Sequence, residues 1–144
     1  MTTVNLEDTA KTLQELCQYE IDGSFIISQA IDNINNNEIK TDLTRIKQEY
    51  ENNIKQLASM IKECGGEVPS YSKDFKGFFM QGYTSLRGLT GDQGILNALD
   101  TNIKMVIKAF EKVLNSDLPE NVRSQLQKIH NNGQEHLNYV AGQI

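Results

Sequence analysis

Near the end of the chain, QKIHNNGQEHL (residues 127–137) holds the only two histidines, His130 and His136, with Glu135 between them. Imidazoles and carboxylates are the usual ligands of transition metals, so metal chemistry is the first to test. The spacing argues against one shared ion. Six residues apart on a helix, the two imidazoles point about 120° apart and sit about 9 Å apart along the axis. The four-residue spacing of zinc proteases is absent. Three residues before His130 stands Gln127 and three before His136 stands Gly133, so neither histidine belongs to a Glu-x-x-His pair.

Other chemistry has less to stand on. GLTGDQG (residues 88–94) lacks the lysine and the preceding strand of a phosphate loop. It suits a loop in which Thr90 or Asp92 caps a helix. No Ser, Cys and His pairing marks a nucleophile. A formal net charge of −5 offers no basic face for nucleic acid. No apolar run reaches the roughly 18–20 residues of a membrane span, and MTTVNLEDTAKTL lacks the basic start and apolar block of a secretory leader. A cytoplasmic protein is expected. Cys17 and Cys64 fit a reducing compartment and read as buried free thiols: a hairpin turning near Asn36 offsets them by roughly 13 Å.

Any site must be positioned by helices, because apolar residues recur at helical spacing in four long segments and strand-like alternation is absent. The first runs from about 5 to 35, with Leu6, Ala10, Leu13, Cys17, Ile27, Ile31 and Ile34 on one face and Asn5 as cap. The second, about 38–64, carries Ile39, Leu43, Ile46, Tyr50, Leu57, Ile61 and Cys64 and stops at Gly65-Gly66. The third, about 93–115, presents Ile95, Leu99, Ile103, Val106, Phe110 and Val113. The fourth, about 118–141, carries Val122, Leu126, Ile129, Leu137 and Val140, with Asp117 as cap and Pro119 in the first turn.

Short connections make the first two helices one antiparallel hairpin and the last two another. Residues 65–92 between them are long enough to cross the length of a bundle. Two hairpins joined by a long crossover predict an all-α, ferritin-like four-helix bundle in a single domain over residues 1–144. Within the crossover, Phe75, Phe78 or Phe79, and Tyr83 fall at roughly helical spacing and predict a short helix. These rings either cover the side of the bundle or form a contact surface for a partner or a second copy.

Four features in this order carry a family resemblance: Asp22-Gly23 midway along the first helix, Gly-Gly-x-x-Pro at Gly65 to Pro69, Gly82-Tyr83-x-x-Leu86, and Leu-Pro-x-x-Val-Arg at Leu118 to Arg123. The chain resembles bacterial four-helix-bundle proteins of unknown function that are grouped with the ferritin-like superfamily. The resemblance implies the bundle but no reaction. That superfamily includes di-iron and di-manganese proteins, whose centres need a Glu from each of two helices and Glu-x-x-His from each of the other two.

Projected at about 100° per residue, Glu20 lands on the apolar face of the first helix with Ser24 one turn on. Asn53 lands on the stripe of the second helix, Asn102 at the edge of that of the third, and His136 near that of the fourth, while Asp22 projects outward. Glu20, Ser24, Asn53, Asn102 and His136 therefore predict a buried polar network, too poor in charge for two divalent cations. The expected protein is non-enzymatic, without cofactor or metal, and acts through protein contacts, most simply as a homodimer joined by Phe75, Phe78, Phe79 and Tyr83. The alternative is a metal-binding redox or iron-handling protein with an atypical site of Glu20 and His130 or His136. A membrane-touching crossover helix is a third, disfavoured by the acidic balance.

Overall fold

Helix formation begins at Asn5, whose side-chain oxygen accepts the backbone N–H groups of Glu7 at 2.9 Å and Asp8 at 3.2 Å. Two of the four orphan donors of the first turn are satisfied in this way, and the acidic side chains of Glu7 and Asp8 favour the positive end of the helix dipole. In a computed structural model that describes residues 5–70 and 91–144, four helices follow: α1 (Leu6–Asn33), α2 (Asn37–Glu63), α3 (Asp92–Leu114) and α4 (Glu120–Gln143). The described residues are all-α, with no strand among them. Phe75, Phe78, Phe79 and Tyr83, with the short helix expected around them, lie outside the described residues.

The three-residue turn between α1 and α2 reverses the chain. Asn36 caps α2 by accepting from Ile39 N at 3.0 Å. At the far end Gly65 takes φ 79°, Gly66 N donates to Ile61 O and Gly65 N to Lys62 O, the paired bonds that close a helix on a left-handed glycine.

Two caps differ from the sequence reading. Asp92 does not cap α3, which starts from Gly91. Its carboxylate instead accepts Asn35 N at 2.7 Å and Asn36 N at 3.0 Å, tying the start of α3 to the α1–α2 turn. Asp117 does not cap α4, which starts from Pro119 without a side-chain cap. The turn is held from the other side: the Arg123 guanidinium donates to Leu114 O and Ser116 O, placing a cation on the carbonyl end of α3.

These ties fix the helix directions. The end of α1 lies at the start of α3, and the start of α1 borders Ser116 and Leu118 at the α3–α4 turn, so α1 and α3 are antiparallel. Residue 53 of α2 meets residue 132 of α4 and residue 42 meets residue 139, so these two helices are antiparallel as well. Around the square, α1 packs on α2 and α3 and α4 packs on α3; α4 meets α2 along the thinnest contact, and the diagonals do not pack.

Leu13, Leu16, Ile27, Leu43, Ile46, Leu57, Ile61, Ile95, Leu99, Phe110, Leu126 and Val140 fill one continuous core. Besides Cys64, four residues expected on the stripes differ: Leu6, at the first position of α1, is exposed, and Ile31, Val113 and Leu137 are only half-buried. Both cysteines are free. Cys17 is buried, whereas Cys64 is half-buried because it is the C-cap of α2, at an end of the bundle.

Candidate functional site

The inward positions of each helix advance in steps of three and four residues, and halfway along the bundle that rhythm meets polar side chains. On α4 it runs Leu126, Ile129, Gly133, His136, Val140; on α2 it runs Leu43, Ile46, Tyr50, Asn53, Leu57. On α1, Glu20 follows Leu13, Leu16 and Cys17. Residues three apart share a helix face, so Tyr50 with Asn53 and Gly133 with His136 point at the same level of the interior as Glu20. At that level lies a cavity of about 10 Å³, room for one water. Glu20, Tyr50, His130, Gly133 and His136 border it, and α3 closes it with Ile103, Val106, Ile107 and Phe110.

Each polar group has a definite setting. Asn53 Nδ2 is shared, donating to Glu20 Oε1 at 3.4 Å and to Asn132 Oδ1 at 3.1 Å. Asn132 Nδ2 donates to Glu49 Oε1 at 2.7 Å, and Arg45 holds the other Glu49 oxygen at 2.7 Å. A chain of polar contacts thus runs from the buried centre through the α2–α4 seam to the surface. His136 Nε2 lies 3.6 Å from Glu49 Oε1, a Coulombic contact too long for a hydrogen bond, and has no hydrogen-bond partner among the described residues. The His136 ring lies against Tyr50, with centroids 5.4 Å apart.

Tyr50 reaches this place because Gly23 has no side chain: a Cβ there would stand 3.1 Å from Tyr50 Cε1. The Asp22-Gly23 pair therefore marks a close approach of α2 to α1. Asp22 itself is buried, not outward-facing, with Gln18 Nε2 donating to it at 3.0 Å. Glu20 to Ser24 are all buried, so α1 is enclosed all round at this height and offers Asp22 no solvent face.

Burial pushes the Glu20 carboxyl up to about 8, with the Asn53 hydrogen bond pulling the other way. The Tyr50 phenol is raised by burial and then by the Glu20 charge. Burial raises the Cys17 thiol to about 11, again with Glu20 adding to it. His136 is lowered, burial outweighing the favourable charge of Glu49. Burial thus favours the uncharged forms of Glu20 and His136, an acid and an imidazole facing the same small cavity.

The five residues of the expected network are all buried. Glu20 and Asn53 are joined directly. Ser24 Oγ donates to Ile21 O at 2.7 Å, and Asn102 Nδ2 donates to Ala98 O at 3.2 Å, each within its own helix. Asn102 Oδ1 has no partner among the described residues. His130 borders the cavity too, while its Nε2 lies 3.1 Å from Glu111 Oε2 on α3. Sequence reasoning missed Glu49 and Asn132. Their roles come from bonds across the α2–α4 seam, so spacing along one helix carries no signal for them.

As a donor set the lining does not fit a di-metal centre of the Glu and Glu-x-x-His kind. It holds one carboxylate, neither of its histidines has a Glu three residues before it, and α3 supplies only hydrocarbon. Among the described residues no three His, Cys, Asp or Glu side chains converge as a metal site.

Residues 8–116, about three quarters of the chain, match the family described as Domain of unknown function (DUF2383). The chain belongs to that family. The DUF2383 match covers Glu20, Tyr50 and Asn53 but ends before α4, so Asn132, Gly133 and His136, and the Leu118–Arg123 motif, lie beyond it. No curated protein matches the chain.

Proposed function

We propose that this DUF2383 protein is a ferritin-like bundle whose metal centre is replaced by a neutral polar layer, and that it acts through protein contacts, first with a second copy of itself. The observation that carries the reading is the pairing of Tyr50-x-x-Asn53 with Gly133-x-x-His136 around Glu20, at the level and spacing that a di-metal bundle reserves for its ligands. The helix directions support the ferritin-like part, since residues 65–91 join opposite ends of the bundle. Self-association rests on the aromatic run Phe75, Phe78, Phe79 and Tyr83.

A second reading draws on the same cavity. Glu20, His130 and His136 all border it, and one ion held there would make the protein a mononuclear metal binder. Metal analysis of the purified protein, followed by anaerobic ferrous titration, separates the two. Substoichiometric iron and manganese, unaltered by Glu20→Ala, are expected. One metal per chain, lost in Glu20→Ala, would establish the second reading; two would restore a working centre and overturn the first. For the contact, light scattering of wild type against Phe78→Ser/Phe79→Ser should show a dimer reduced to monomer. A monomeric wild type, or an unchanged dimer, would remove self-association through this segment.

A further inference from the structure

Three polar side chains at the centre of the bundle have more bonding capacity than their neighbours use. Glu20 has one hydrogen bond, the 3.4 Å contact from Asn53 to Oε1, and Oε2 has none among the described residues. The Tyr50 hydroxyl and both ring nitrogens of His136 are likewise without a hydrogen bond among the described residues. Glu20, Tyr50 and His136 are only 4%, 6% and 3% exposed, and all three border the same cavity. They come from α1, α2 and α4, so this one space separates the polar groups of three helices. Buried polar groups nearly always find a partner, and no described side chain supplies one here. We infer that the cavity is a built site for one water molecule, which bridges Glu20, Tyr50 and His136 and completes the polar layer.

Size and lining select this ligand. A volume of about 10 Å³ is the least that accepts a water and lies far below that of a pocket for an organic ligand. Cavities of pure hydrocarbon stay dry, whereas a water needs two to four polar partners, and these three side chains supply them. The side formed by α3 adds none, presenting Ile103, Val106, Ile107 and Phe110. His130 borders the space too, but its nitrogens are engaged elsewhere: Nε2 lies 3.1 Å from Glu111 Oε2, and Nδ1 lies 3.4 Å from Gln127 Nε2. It is a wall of the site and not a ligand. His136 Nε2 is turned to the Glu49 carboxylate 3.6 Å away, which favours the proton on that nitrogen and leaves Nδ1 as an acceptor. A Glu20 carboxyl kept protonated by burial and the Tyr50 phenol then donate to the water, and the water donates to His136. Three bonds is the usual number for a buried water. A cation of similar size would need several anionic oxygens, and among the described residues Glu20 alone brings a carboxylate to the space.

The inference rests on the metal-free reading above, and a crystal structure of the full chain as purified, recorded with anomalous scattering, tests the two separately. One density peak without anomalous signal is expected, at roughly 2.5–3.2 Å from Glu20, Tyr50 and His136. A cavity without density would overturn the water and leave the metal-free reading standing. An anomalous peak at roughly 2.0–2.2 Å from Glu20 and His136 would overturn both. In solution, water-deuteron relaxation dispersion counts the molecules held inside a protein, and Tyr50→Phe/His136→Phe should hold one fewer than wild type. An unchanged count would overturn the assignment to these partners. If the double variant does not fold, the wild-type density still decides.

Discussion

A carboxyl enclosed by Tyr50, His136 and the aliphatic side chains of α3 keeps its proton where an exposed glutamate has lost it, and this has a sign for stability. The folded Glu20 releases its proton at about 8, against an ordinary value of 4.5 in the unfolded chain. Between those values the folded state binds more protons, so stability is full below about 4.5 and falls as pH rises through about 8. A difference of that size is worth at most about 4–5 kcal/mol. His136 acts oppositely: its folded value lies below 6.5, so its contribution is present above 6.5 and is lost as pH falls. Glu20→Gln keeps the shape and removes the titration. Urea unfolding at about pH 5, 7 and 9 should show the variant close to wild type at the acid end and more stable by a few kcal/mol at the alkaline end. A wild-type curve as steep with Gln in place would place the alkaline loss elsewhere.

At the scale of elements, α1 is interrupted by nothing but carries Gly23 at its middle, where alanine would be the better helix former by about 1 kcal/mol. The Tyr50 ring occupies the room a Cβ would need, and that ring is buried against His136. Gly23→Ala should therefore cost roughly 1–2 kcal/mol in spite of its propensity, by displacing a packed ring. Gly142→Ala, with nothing within 4 Å, should be neutral or slightly stabilising. Thermal melts of the two variants make the comparison, and a stabilised Gly23→Ala would mean that α2 can retreat without loss. The helices themselves were legible because apolar spacing and Asn5, Gly65 and Gly66 state them locally. Asp92, Arg123 and Asp22 were not, since each takes its role from a neighbour brought close by folding: the α1–α2 turn, the carbonyl end of α3, and the full enclosure of α1. Projection likewise found Glu20, Asn53 and His136 by face, but the Asn132 and Glu49 partners required the register of α2 against α4, which no single helix encodes.

Taken as a whole, the molecule places a polar layer where hydrocarbon would bury more surface, and the bonding explains how such a layer can persist. Asn53 serves two acceptors at once, so Asn53→Leu leaves Glu20 without its partner and frees Asn132, at a cost of roughly 1–3 kcal/mol for the stranded buried group. Glu20→Leu or His136→Leu alone gains little, because each leaves the neighbouring polar group facing hydrocarbon across the cavity. Changing all three together leaves only Asn132 and Glu49 at the seam, where both are partly exposed and water can serve them. Replacing both partners of a buried hydrogen bond by apolar side chains of similar shape can be nearly neutral or stabilising. Glu20→Leu/Asn53→Leu/His136→Leu should accordingly melt at or above the wild-type temperature and lose its alkaline sensitivity, while Asn53→Leu melts below it. A triple variant less stable than Asn53→Leu would show that the layer holds the bundle together, and that its retention needs no barrier against stepwise loss.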